Sequence, residues 1–148
     1  IIILYGKIMK EKLKILIVDD EYDILKLWQS FFSSFDDFFI EAHFASGGVE
    51  AHEKCAETND YILIISDFKM PEMNGLDFIR YIREKMSNYK TTPVLFFSGY
   101  LDVFKQEAEL LDNVYLLEKP MKFKKVGNMI SMLILAEVKK MESNTDEN

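Results

Sequence analysis

The sequence has little cysteine, proline or glycine. Its 148 residues include one cysteine, three prolines and six glycines. The single Cys55 excludes an internal disulfide framework and a zinc site built from cysteines, and we expect it to be a buried packing residue. Few residues that break helices or strands, with 49% hydrophobic and 29% charged residues, are typical of a globular chain and exclude wholesale disorder. The length suits one domain with short flanking segments.

Basic residues are also in deficit. The chain has 18 lysines and arginines against 25 acidic residues, a formal net charge of −7, which disfavours attraction to phosphate backbones and anionic lipids. We therefore expect no direct nucleic-acid binding. The opening apolar run, residues 1–5, ends long before the roughly 20 residues that a membrane span needs. We accordingly expect no membrane insertion and a cytoplasmic location.

The chain divides into three predicted segments. Residues 1–12 start without methionine and end in a basic stretch, and we interpret them as an N-terminal extension or a cloning remnant. Residues 13–140 carry the regular apolar pattern of a folded domain. Residues 141–148 are polar and lack apolar anchors, so we predict a disordered tail.

Short apolar runs alternate with amphipathic stretches along the domain, which is typical of parallel strands covered on both faces by helices. The predicted strands are residues 13–18, 38–44, 61–66, 92–97 and 114–117. The predicted helices are residues 22–35, 46–57, 76–86, 102–111 and 123–140, with Ser46 as the N-cap of the second. Right-handed crossovers then give an α/β fold, a flavodoxin-like doubly wound (βα)5 three-layer sandwich whose parallel five-stranded sheet has the order 2-1-3-4-5.

Polar side chains follow four of the predicted strands: Asp19 and Asp20 the first, Asp67 the third, Ser98 the fourth and Lys119 the fifth. In this strand order the four strand ends meet at one edge of the sheet. Three converging carboxylates repel one another unless a proton or a hard cation neutralises them, and Mg²⁺ suits such oxygen ligands. A carboxylate beside a metal and a lysine can attack phosphorus. Taken singly, each residue has an ordinary alternative: a helix cap, a turn or a solvated lysine.

The combination resembles the receiver domain of two-component response regulators over residues 13–136. The matching motifs are ILIVDDE at residues 15–21, DFKMPEMNG at residues 67–75, Ser98, and the Lys119-Pro120 pair. The resemblance implies a phosphoacceptor domain rather than a metabolic enzyme. Its only chemistry would be Mg²⁺-dependent phosphoryl uptake from a donor and slow loss of the phosphoryl group.

The resemblance also implies a role for each site residue. Asp67 would be the phosphoacceptor and, with Asp20 and the backbone carbonyl of Lys69, a direct Mg²⁺ ligand, while Asp19 would act through a water. Lys119 would pair with a phosphoryl oxygen, Ser98 would follow the phosphoryl group, and the Lys119-Pro120 peptide would be cis.

The partners implied are a sensor histidine kinase or a histidine phosphotransfer protein, and downstream a protein partner or a fused output domain. The face formed by the fourth helix, fifth strand and fifth helix would switch on phosphorylation. Homodimerisation through that face is an open alternative. One departure from the family is Leu116, three residues before Lys119, where an aromatic residue often takes part in the switch.

Three other functions are disfavoured by particular residues. A flavodoxin-like cofactor carrier needs a phosphate loop after the first strand, where Asp19-Asp20-Glu21 would repel a phosphate. An aspartyl phosphatase needs a second acid beside its nucleophile, and Phe68 and Lys69 offer none. An interaction module that is never phosphorylated has no need of the intact acidic, hydroxyl and lysine set.

Overall fold

The computed structural model of the chain describes residues 12–99, 101–120 and 122–146. The predicted N-terminal extension, apart from Lys12, lies outside these residues. The strands are β1 Leu13–Val18, β2 Ile40–Ala45, β3 Leu63–Asp67, β4 Val94–Ser98 and β5 Val114–Glu118. The helices are α1 Tyr22–Ser34, α2 Gly48–Thr58, α3 Gly75–Lys85, α4 Leu101–Glu109 and α5 Phe123–Thr145, with a short 3₁₀ turn at Ser87–Tyr89.

The five strands form one parallel sheet in the order β2-β1-β3-β4-β5, which confirms the predicted fold. Successive side chains of a strand point to opposite faces of a sheet. The apolar side chains of these strands therefore contribute to two hydrophobic cores. One core packs the sheet against α2, α3 and α4, and the other packs it against α1 and α5. Phe96 and Phe97, neighbours on β4, enter the first and the second core respectively. Because helices cover both faces of the sheet, side chains on both faces of the central strands are buried, which explains why these strands are apolar throughout.

Most predicted helix ends lie one or two residues from those of the structure, and the start of α2 and the end of α5 differ for reasons that the structure shows. The N-cap of α2 is Gly47 rather than Ser46, and it has no side-chain cap. The Ser46 amide and hydroxyl instead both donate to one carboxylate oxygen of Glu50, at 2.8 and 2.7 Å. At the other end of the chain, α5 continues through residues 141–145 of the predicted tail. Its last turns follow Val138, which is 1% exposed, and the Ser143 hydroxyl donates to a backbone carbonyl of the same helix.

Two further expectations concern Cys55 and the membrane. Cys55 is fully buried on α2, and burial raises the pKa of its thiol to about 12, so it is a packing residue as predicted. Within the described part of the chain, no helix has the length and apolar character that crossing a membrane requires.

Candidate metal centre

Three carboxylates meet at the carboxyl edge of the sheet. Asp19 and Asp20 follow β1, and Asp67 is the last residue of the adjacent β3. One carboxylate oxygen from each lies within 4.8 Å of the other two. Asp19 and Asp67 are only 2% and 7% exposed, whereas Asp20 is exposed to solvent. We call these three residues the acidic cup: Asp19 and Asp67 are its buried sides, and Asp20 is the side open to solvent.

Burial makes the negative charge on Asp19 unfavourable. The pKa of this carboxyl group is raised to about 6, chiefly by desolvation and also by the charge of Asp67, while the Glu21 amide and Lys119 oppose the rise. The Glu21 N–H donates to Asp19 Oδ1 at 2.9 Å. Asp20 is not a helix cap: the N-cap residue of α1 is Glu21, and no side-chain cap is made there. The ordinary explanation for Asp20 therefore does not apply, and its carboxylate is available to a cation.

Lys119 reaches the cluster from the end of β5. Its Nζ lies 3.1 Å from Asp67 Oδ1 and 4.0 Å from Asp19 Oδ2. Burial lowers the pKa of Lys119, but the charges of Asp67 and Asp19 outweigh it and the net direction is upward. For Asp67, burial raises the pKa and Lys119 opposes the rise. The Lys119-Pro120 peptide is cis, as predicted.

Ser98 and Lys69 complete the predicted set. Ser98 is 3% exposed at the end of β4, one residue beyond the pairing of Asp67 with Phe97, and its carbonyl accepts the Lys119 N–H at 3.0 Å. Lys69 lies two residues after Asp67 with its side chain exposed. The structure thus brings Ser98 and Lys119 to the strand end that carries Asp67. The roles of the Ser98 hydroxyl and the Lys69 carbonyl stay predictions.

The backbone around Asp67 is held by short contacts. The Phe68 N–H donates to Asp67 Oδ1 at 2.9 Å, and the Ser66 hydroxyl donates to the Asp67 carbonyl at 2.8 Å. Gly75 packs so closely below this turn that a Cβ there would lie 2.4 Å from the Asp67 carbonyl oxygen. Its N–H donates to the Phe68 carbonyl at 2.8 Å.

The close packing of Gly75 is not evident from the sequence, where Asn74-Gly75 is only the end of the DFKMPEMNG motif. Asn74 does cap α3, since its Oδ1 accepts the Asp77 N–H at 2.9 Å. The only sequence signal for the close approach is a glycine at the first position of a helix, and that pattern has many other causes.

The donor set fits Mg²⁺. Three carboxylates and one lysine leave two net negative charges around the cup, and two of the carboxylates are buried, so a divalent cation would relieve their repulsion. All of the offered side-chain ligands are oxygens, which hard cations prefer. Asp20 leaves one side of the cluster open to solvent.

Comparisons with known proteins relate the chain to one family. A family model described as the response regulator receiver domain matches residues 15–131. The chemotaxis protein CheY1 of Helicobacter pylori is 34% identical over 85 residues, which cover 56% of this chain and 64% of CheY1. The transcriptional regulatory protein SrrA of Staphylococcus aureus is 38% identical over 82 residues, 55% of this chain and 31% of SrrA. The chain thus spans less than two thirds of either protein.

A solved structure extends the similarity to the whole fold. The chemotaxis protein CheY4 of Vibrio cholerae aligns with a TM-score of 0.74 and 27% identity, covering 83% of this chain and 99% of CheY4. The aligned part of this chain therefore corresponds to nearly all of a known domain.

Proposed function

Because the chain belongs to the response regulator receiver family, we propose that Asp67 takes up a phosphoryl group in the presence of Mg²⁺. The observation that carries the proposal is the position of Asp67, 7% exposed, with its Oδ1 3.1 Å from Lys119 Nζ and within the same cup as Asp19 and Asp20. Receiver domains in general interact with histidine kinases and with output partners, and they generally bind Mg²⁺ at an acidic pocket.

The proposed reaction moves one phosphoryl group between two proteins. A carboxylate oxygen of Asp67 attacks the phosphorus of a phosphohistidine, a P–O bond forms, and the P–N bond breaks with its electron pair returning to the imidazole. Lys119 would hold a phosphoryl oxygen by charge, and the Ser98 hydroxyl would donate to another. When bound by Asp20, Asp67 and the Lys69 carbonyl, with Asp19 acting through a water, Mg²⁺ would supply further neutralisation of the phosphoryl oxygens.

We further propose that the product is a signal rather than a metabolite, so the chain is a switch and not a metabolic enzyme. The donor would be a sensor histidine kinase or a histidine phosphotransfer protein in the cytoplasm. The face formed by α4, β5 and α5 would control a downstream partner or a fused output domain, or would form a homodimer.

A cavity of about 290 Å³ links these three elements, lined in part by Lys105, Tyr115 and Met129. Because α4, β5 and α5 all line this cavity, movement of any one of them would change the shape of the surface that they form.

The test is the intact mass after incubation with Mg²⁺ and a small acyl phosphate. We expect a gain of one phosphoryl group that is lost when Mg²⁺ is chelated and in Asp67→Asn. Asp36→Asn, which changes an exposed carboxylate beyond α1, is the matched control and should gain the same mass as the wild type. Uptake by Asp67→Asn would show that the acceptor is another residue.

A further inference from the structure

The backbone of Phe97 is tied to the residue that follows the phosphoacceptor. Phe97 pairs with Asp67 across β3 and β4, and its carbonyl accepts the Phe68 N–H at 3.1 Å. The next residue on β4 is Ser98, whose carbonyl accepts the Lys119 N–H. A shift of either β3 or β5 at this edge would therefore be transmitted to Phe97.

The ring of Phe97 lies in the core that contains α1 and α5, and it packs against α1. Its centroid lies 5.3 Å from that of Trp28, with the rings at 74°. Trp28 is 3% exposed and also contacts Phe31 edge-on, and Phe31 stacks on Phe123 at the start of α5 with centroids 5.9 Å apart. Four rings thus run in continuous contact from the end of β4 through α1 to α5.

These rings form part of a groove between α1 and the start of α5, which we call the α1–α5 groove. It has a volume of about 560 Å³ and is lined by Asp19, Ile24, Leu27, Trp28, Phe97, Lys119, Pro120 and Phe123. Leu27 and Phe123 on its walls are 45% and 47% exposed. The groove is therefore an accessible apolar surface that shares Asp19 and Lys119 with the candidate metal centre.

β5, by contrast, lacks the aromatic residue that often takes part in the switch of this family. The position three residues before Lys119 is Leu116, which packs on the opposite side of the sheet with the α2, α3 and α4 core. Its neighbour Tyr115 is 37% exposed, and its hydroxyl donates to Asn113 at 3.0 Å, two residues back along the chain. The ring contacts of Phe97 at the end of β4, by contrast, lead to α1.

We propose that Phe97 and Trp28 couple the state of Asp67 to the α1–α5 groove, so that phosphorylation changes this surface. Uptake of a phosphoryl group adds negative charge and new acceptor oxygens at Asp67, which would draw Lys119 and Ser98 towards them. Because buried rings are close-packed, a displaced Phe97 cannot move without moving Trp28. Phe97 acts here as a positioning residue and takes no part in the chemistry. The inference rests on the proposed function.

The chain carries its own reporter for this coupling, because Trp28 is its single tryptophan. The experiment records Trp28 emission and its quenching by acrylamide before and after incubation with Mg²⁺ and a small acyl phosphate, with the intact mass read on the same sample. We expect a spectral change that appears with the mass gain and is absent in Asp67→Asn. Full mass gain with unchanged emission and quenching overturns the coupling but leaves the proposed function standing. Absence of any mass gain overturns both.

Two neighbouring substitutions separate coupling from general loss of packing. Phe97→Leu removes the ring that contacts Trp28, whereas Phe96→Leu makes the same change one residue away, in the core on the other face of the sheet. Both residues are buried, at 4% and 0% exposed. We expect Phe97→Leu to take up the phosphoryl group without the Trp28 response, and Phe96→Leu to keep that response. Equal responses in the two phosphorylated variants would refute a role for Phe97.

Discussion

Replacing Asp19 with asparagine should stabilise the domain when no metal is bound. Asp19 is 2% exposed, and burial is the largest cause that raises its pKa from 3.8 to about 6. At about 1.4 kcal/mol for each tenfold change in proton affinity, keeping this carboxylate charged lowers the free energy of unfolding by about 3 kcal/mol. Asparagine removes the charge but keeps an oxygen for the Glu21 N–H. The raised pKa already includes the opposing attraction of Lys119, so we expect a net gain of about 1–3 kcal/mol.

The sign of this effect depends on pH in a defined way. Because the folded pKa is raised, the penalty is absent below the unfolded value of 3.8 and complete above about 6. The advantage of Asp19→Asn should therefore be small near about pH 4 and greatest near about pH 8. Urea unfolding with a chelator present, at both pH values, measures the difference.

Two further arms make the test decisive. Mg²⁺ should stabilise the wild type more than Asp19→Asn, because the variant has lost one of the charges that favour the cation. Asp36→Asn, at an exposed position, should change the unfolding free energy little at either pH. If Asp19→Asn is less stable than the wild type at the higher pH without metal, or if the difference does not vary with pH, the electrostatic reasoning is refuted.

Three other substitutions test separate contacts. Lys119→Ala removes the cation 3.1 Å from Asp67 but none of the acidic ligands, so Mg²⁺ affinity by titration calorimetry should be equal or tighter while phosphoryl uptake by mass slows. Gly75→Ala places a methyl group 2.4 Å from the Asp67 carbonyl, which should cost roughly 1–3 kcal/mol in urea unfolding and reduce uptake. Tyr89→Phe removes the buried hydroxyl that donates to the Cys55 carbonyl at 3.1 Å; it should cost about 1 kcal/mol and leave uptake unchanged.

The strands and their order were predictable because the signals are local and repeated. Near-continuous apolar runs indicate strands buried on both faces, and the amphipathic stretches between them require crossovers. The details that escaped prediction depend on single contacts. The 3₁₀ turn at Ser87–Tyr89 is held by burial of Tyr89, which is 1% exposed. Ser46 bonds to Glu50 rather than capping α2.

For the site, residue types at strand ends predicted which groups would meet, but not how each is held. Asp19 and Asp20 are adjacent in sequence, yet one is 2% exposed and the other is open to solvent. The closeness of Gly75 to the Asp67 carbonyl follows from how α3 packs below the β3 end, which no spacing encodes. The contact between Phe97 and Trp28 likewise joins residues far apart in the chain.

Successive side chains of β4 point to opposite faces of the sheet, so the strand end at the site contacts both cores. Phe96 packs in the core beneath α2, α3 and α4, with its ring 5.3 Å from that of Phe68, the residue after the phosphoacceptor. Phe97 packs in the other core against α1. Because one strand end carries both rings, a displacement there acts on two surfaces at once. With Leu116 in place of an aromatic residue on β5, the face formed by α4, β5 and α5 loses one ring that could respond. Trp28 reports only on the face that carries α1, so an intact Trp28 response in Phe96→Leu would show that this face responds without the Phe96 ring.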